Sequence, residues 1–92
     1  MKYFKTIIDV RDDYEFEGGH IAKSLSIPLN EIMMKLDEIK QMPQPIALCC
    51  LSGGRSGVAQ QFLLDEGIDC FNAGGWEEFE NQIENGEASW EE

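Results

Sequence analysis

Cys50-Leu51-Ser52-Gly53-Gly54-Arg55-Ser56 puts a thiol at the junction between an apolar run and a helical pattern. Ile46 to Cys49 is short, apolar and bounded by Pro45, as a buried strand would be. Val58, Ala59, Phe62 and Leu63 then recur at helical spacing. The unit expected is strand, glycine-bearing turn, helix. The N–H groups of such a turn and of the first helical turn lack carbonyl partners, so they converge on whatever fills the hollow. An anion fits there. Cys50 begins the turn, where the helix N-terminus and the Arg55 guanidinium favour thiolate over thiol. Gly53 and Gly54 permit positive φ and close backbone approach, and Ser52 and Ser56 add hydroxyls. The chemistry expected is that of a low-pKa sulfur nucleophile in an anion cradle.

The other two cysteines read differently. Cys49 lies within the expected strand and Cys70 within a later one, where a thiol serves as a small buried hydrophobe. Adjacent α-carbons are about 3.8 Å apart, whereas disulfides ordinarily span about 4.4 Å or more, so Cys49 and Cys50 are expected as separate thiols.

Composition bounds the class. A chain of 92 residues, 42% hydrophobic and 27% charged, is expected to fold as one globular domain over residues 1–92. Three cysteines and one histidine match neither a disulfide framework nor a four-ligand zinc site. No metal and no cofactor is expected, and a reducing, cytoplasmic location follows. Met1 to Thr6 lacks the apolar core of a signal peptide, and no stretch approaches membrane-spanning length. A formal net charge of −11 opposes nucleic acid and anionic lipid surfaces as partners. It also repels a small anionic substrate at long range, so anion chemistry must rely on the local field of the Cys50 turn.

The elements around that turn follow in chain order. Lys5 to Arg11 reads as a strand through Ile7, Ile8 and Val10, with Asp9 and Arg11 near its carboxyl end. Asp12 to Gly19 is an acidic loop or short helix, and a short strand is expected over Leu25 to Ile27 before Pro28. Asn30 is the expected cap of a helix carrying Ile32, Leu36 and Ile39, with Met33 and Met34 as core filling. Gly67 is expected to close the helix after Cys50, with Ile68 packing beyond it. Asp69 to Asn72 reads as a strand, and Ala73-Gly74-Gly75 turns into a last helix on Trp76, Phe79 and Ile83 that stops at Asn85-Gly86. The acidic tail, residues 87–92, is expected to fray, with Trp90 able to dock. Alternating strands and helices predict an α/β domain with a mainly parallel sheet, whose ligands bind beyond the carboxyl ends of the strands.

Five segments, in order and spacing, resemble single-domain rhodanese-like proteins of the thiosulfate sulfurtransferase family. They are Ile8-Asp9-Val10-Arg11-Asp12, Glu15-Phe16-Glu17-Gly18-Gly19-His20-Ile21, Ser26-Ile27-Pro28-Leu29, Cys50 through Ser56, and Asn72-Ala73-Gly74-Gly75-Trp76. The resemblance covers Ile8 to Trp76. It implies a small, mainly parallel sheet flanked by helices, here with a minimal N-terminal region and one strand fewer. It also implies transfer of sulfane sulfur from a donor such as thiosulfate to a thiol or cyanide through a Cys50 persulfide.

In that picture Leu51, Ser52, Gly53, Gly54, Arg55 and Ser56 bind the donor, Arg11 assists, and Asp9 braces the loop. A surface ion pair is the plainer account of Asp9 and Arg11. His20 is structural, and Trp76 is core packing beside the site. Lys23 and Ser26 depart from the glycine and asparagine common there. The partners implied are a small anionic sulfur donor, a thiol or cyanide acceptor, and a protein sulfur acceptor. A persulfide carrier or interaction module is the alternative. Phosphatase or arsenate reductase chemistry is a further one, although its cysteine loop is one residue longer.

Overall fold

The computed structural model describes residues 1–91. In chain order the elements are β1 Lys2–Phe4, β2 Thr6–Asp9, α1 Asp13–Glu17, β3 Leu25–Ser26, a single 3-10 turn Leu29–Glu31, α2 Leu36–Lys40, β4 Ile46–Cys50, α3 Gly54–Asp65, β5 Cys70–Gly75, α4 Trp76–Glu84 and β6 Ala88–Trp90. Four strands form one sheet in the order β3-β2-β4-β5, with every pairing parallel. β1 and β6 pair parallel in a second, two-stranded sheet. This is the parallel α/β architecture expected.

β2 and β4 are buried along their whole length; β4 reads accordingly as a continuous apolar run, while β2 buries the polar Thr6 and Asp9 at its two ends around Ile7-Ile8. Alternation of side chains across the pleat divides the core in two. Ile8, Ile46, Leu48 and Cys50 pack with Ala59 and Leu63 of α3, while Phe4, Ile7, Ala47 and Cys49 pack with Phe79 of α4. Cys49 and Cys50 therefore point to opposite faces of the sheet, and only Cys50 lies on the α3 side.

One irregularity matters for the site. The β4–β5 register shifts between Leu48 and Cys49, so that Leu48 faces Asn72 but Cys49 faces Gly74 and Cys50 faces Gly75. The extra residue is Ala73, and such a bulge re-aims the strand next to it. It brings Gly74 and Gly75 alongside the two cysteines. At Gly75 a Cβ would sit 2.7 Å from the Leu51 carbonyl oxygen, so glycine alone lets β5 run this close to the turn after Cys50.

The ends of α3 and α4 follow their stop signals. Gly67 has φ 81°, and the N–H groups of Gly67 and Ile68 donate to the Leu64 and Leu63 carbonyls, both at 3.0 Å. Asn85 closes α4, followed by Gly86 at φ 79°.

Four expectations need correction. Ala73-Gly74-Gly75 is not a turn but the carboxyl half of β5, which runs past Asn72 because the bulge at Ala73 keeps Gly74 and Gly75 paired with β4, and α4 follows directly at Trp76. Asn30 caps no α-helix: it lies inside the 3-10 turn, and α2 starts only after Lys35, whose ψ of 15° breaks the helical path. Met33 and Met34 are 72% and 76% exposed rather than core, because Ile32 and Ile39 take the inward positions of this interrupted segment. The tail is not frayed through Trp90, since Ala88–Trp90 pairs residue by residue with Lys2–Phe4. Ala88 is buried there and the Phe4 ring meets Trp90 edge-on at 4.8 Å. Of the expected tail, Glu92 lies outside the described residues.

Candidate active site

Cys50 is the last residue of β4, and α3 begins four positions later. Gly53, the residue before α3, has φ 101°, a left-handed conformation that swings its N–H back toward the strand end. That N–H donates to Cys50 Sγ at 3.0 Å, and the Ser56 N–H reaches the same sulfur at 3.5 Å. The Ser56 hydroxyl lies 3.3 Å from Sγ. Cys50 is 1% exposed and Ser56 is fully buried.

Burial opposes ionisation of Cys50. Hydrogen bonds from the Ser56 hydroxyl and from the Ser56, Ser52 and Gly53 amides outweigh it and hold the thiol below its ordinary value. The neighbouring thiols move the other way. Burial, reinforced by Asp9, pushes Cys49 far up, and burial with Asp69 raises Cys70 to about 11. Among the described cysteines, Cys50 is the one disposed to be a thiolate nucleophile.

Both arginines singled out in the sequence are engaged by carboxylates. Arg55 Nη1 and Nη2 donate to Glu15 Oε1 and Oε2 at 2.7 and 3.1 Å. Glu15 Oε1 also accepts the Asp12 N–H at 3.2 Å, so one carboxylate caps α1 and holds the guanidinium of α3. The hydrogen bond from Arg55 keeps Glu15 down at about 2. Arg11 is 4% exposed. Its Nε and Nη2 donate to Asp9 at 2.8 to 3.1 Å, its Nη2 also donates to the Gly19 carbonyl at 2.7 Å, and its guanidinium lies 4.8 Å from the Trp76 ring. The Asp9–Arg11 pair is thus buried rather than a surface ion pair, and Asp9 is joined to Arg11. His20 stacks on Phe16 at 3.7 Å, with Nδ1 2.7 Å from the Phe16 carbonyl.

Two residues of the site open segments that carry the resemblance, yet the sequence gives neither of them a role. Asn72 bridges the turn: its Nδ2 donates to the Gly53 carbonyl at 2.9 Å, while its Oδ1 accepts from Ser56 Oγ at 2.7 Å and the Gly74 N–H at 2.9 Å. Its signal in the sequence is a lone polar residue between Phe71 and Ala73 in an expected strand. Glu15 is the other, hidden in an acidic segment. Beside the turn, Leu51, Ser52, Gly75, Glu77 and Glu78 line a polar hollow of about 250 Å³.

The family described as "Rhodanese-like domain" matches residues 2–82. The chain belongs to the rhodanese-like domain family. The rhodanese-related protein of Thermoplasma volcanium is a structural neighbour, with a TM-score of 0.74 and 30% identity over 88% of this chain and 79% of its own. "Uncharacterized protein YqhL" of Bacillus subtilis is 43% identical over 61 residues, covering 66% of this chain and 48% of the relative. "Putative sulfur carrier protein YrkF" of the same organism is 34% identical over 62 residues, covering 67% of this chain and 33% of the relative. The chain therefore spans about half of one relative and a third of the other. As in any rhodanese-like domain, fold alone does not fix substrates. Among the described residues, no helix is long and apolar enough to cross a membrane, and no group of three or more His, Cys, Asp or Glu is placed to hold a metal.

Proposed function

We propose that this rhodanese-like domain is a sulfurtransferase that moves sulfane sulfur through a persulfide on Cys50. The observation that carries the reading is the convergence of the Gly53 and Ser56 amides and the Ser56 hydroxyl on one buried sulfur at a helix N-terminus. The Cys50 thiolate attacks the outer sulfur of thiosulfate; a sulfur–sulfur bond forms, the bond to the sulfonate breaks, and sulfite leaves with the electron pair. Cyanide or a thiolate then attacks the outer sulfur of the persulfide, and the pair returns to Cys50 as thiolate. Leu51, Ser52, Gly53, Gly54 and Ser56 supply the turn that holds the charge. Arg55 sits at its rim, and Arg11, with Asp9, serves by fixing the Gly19 segment beside Trp76.

A second reading, persulfide carrier for a protein partner in the cytoplasm, draws on a specific observation. Arg11 and Arg55 are both neutralised by carboxylates, and Glu77 and Glu78 border the hollow beside the turn. A net charge of −11 adds to the long-range repulsion of small anions. A protein carrying the sulfur, or accepting it on a thiol, does not face that barrier to the same degree.

Steady-state thiocyanate formation from thiosulfate and cyanide separates the two. Turnover that vanishes in Cys50→Ser and survives in Cys49→Ser supports the sulfurtransferase. A persulfide that forms but passes slowly to cyanide and rapidly to a protein thiol supports the carrier.

A further inference from the structure

The Ser56 hydroxyl has one proton and two neighbours that compete for it. Asn72 Oδ1 lies at 2.7 Å and Cys50 Sγ at 3.3 Å. Asn72 cannot turn away, because its Nδ2 donates to the Gly53 carbonyl and its Oδ1 accepts the Gly74 N–H, each at 2.9 Å. Its oxygen is thereby aimed at Ser56. Gly57 leaves room for this amide, since a Cβ there would stand only 3.3 Å from Asn72 Nδ2.

We propose that Asn72 is a positioning residue that sets the direction of the Ser56 hydroxyl and so gates ionisation of Cys50. With Cys50 protonated, the chain of donors runs from Sγ–H to Ser56 Oγ and from Ser56 Oγ–H to Asn72 Oδ1. On ionisation the Sγ proton leaves to water, and the Ser56 hydroxyl turns about its Cβ–Oγ bond to donate to the thiolate. Asn72 Oδ1 keeps the Gly74 N–H, so no buried acceptor is orphaned by the turn. Both protonation states are satisfied without moving the backbone.

The charged groups around the turn are Asp9 at the end of β2, Arg11 just beyond it, Glu15 on α1 and Arg55 on α3, paired two by two. Glu77 and Glu78 of α4 border the neighbouring hollow, Cys49 faces the other side of the sheet, and the Cys70 thiol is directed to the Gln60 carbonyl at 3.8 Å. The relay therefore runs through uncharged groups that an asparagine can tune.

The inference rests on Cys50 being the nucleophile, and its test reads ionisation rather than sulfur transfer. A protein whose Cys50 ionises as described but forms no persulfide fails the proposed function and leaves the relay intact. The experiment is the rate of Cys50 alkylation by iodoacetamide against pH in wild type, Asn72→Asp, Ser56→Ala and the double variant. Asn72→Asp holds the Ser56 proton more strongly, so the alkylation midpoint rises by about one pH unit and the rate at pH values below the wild-type midpoint slows about tenfold. In the Ser56→Ala background the same substitution slows it less than about threefold, the residue of direct charge repulsion. Equal slowing in both backgrounds overturns the proposal. The wild-type protein supplies a readout that needs no variant: the Asn72 side-chain amide resonances shift across the Cys50 midpoint as Oδ1 loses its hydroxyl donor. Resonances that stay fixed through that midpoint overturn it as well.

Discussion

Glu15 and Arg55 lie 40 residues apart in the chain and meet in a two-pronged ion pair, with N–O distances of 2.7 and 3.1 Å. The pair ties α1 to the start of α3, and it occupies the one guanidinium that belongs to the Cys50–Ser56 turn itself. Arg55 is at once a clamp on the fold and a cation withheld from the site.

Releasing that cation strengthens binding of an anionic donor. Gln at position 15 keeps an oxygen for the Asp12 N–H and removes the charge opposing Arg55. In thiocyanate assays Glu15→Gln lowers KM for thiosulfate by about threefold or more, with kcat changed less than about twofold. An unchanged KM shows that Arg55 takes no part in donor binding.

The same pair carries a pH signature. The Glu15 carboxyl is held at about 2, below its ordinary 4.5, chiefly by the hydrogen bond from Arg55. A carboxyl depressed in the folded state stabilises fully above its unfolded value, and the contribution is lost as pH falls through the folded one. Thermal midpoints of wild type and Glu15→Gln therefore differ at neutral pH and converge between about 4.5 and about 2. Midpoints that run parallel through that window contradict the assignment.

Gly75→Ala tests how tightly β5 supports the turn. The added Cβ meets the Leu51 carbonyl at 2.7 Å, a backbone atom that cannot step aside cheaply. The substitution costs about 1–3 kcal/mol in denaturant unfolding. It also slows Cys50 alkylation, because displacing Leu51 disturbs the amides on Sγ. Unchanged stability and alkylation show that the turn has slack.

Phe4→Ala tests the pairing of the two chain ends. Phe4 is fully buried, 5.3 Å from the Phe79 ring and 4.8 Å from Trp90. Its loss costs about 3–5 kcal/mol and exposes Trp90, which urea titration with tryptophan fluorescence follows. A loss below about 1 kcal/mol contradicts the packing described.

The parts of the fold and site that the sequence displays are local. Ile7-Ile8 and Ile46 to Cys49 announce buried strands by composition, Gly67-Ile68 and Asn85-Gly86 announce helix ends, and the Cys50 turn is written in consecutive residues. What it conceals depends on partners far away. Lys2–Phe4 and Ala88–Trp90 are three residues each and stabilise one another from opposite ends of the chain, while the surrounding glutamates disguise Ala88–Trp90 as a solvated tail. Met33 and Met34 follow a helical period that the structure interrupts at Lys35. Asn72 is tied to the turn by Gly53 and Ser56, 19 and 16 residues away, and Glu15 by Arg55, 40 residues away.

The central claim is that Cys50 carries the sulfur, and intact mass after treatment with thiosulfate tests it most directly. Wild type and Cys49→Ser each gain one sulfur atom, which cyanide removes, and Cys50→Ser gains none. An adduct that persists in Cys50→Ser, or no adduct on any of the three, contradicts the account.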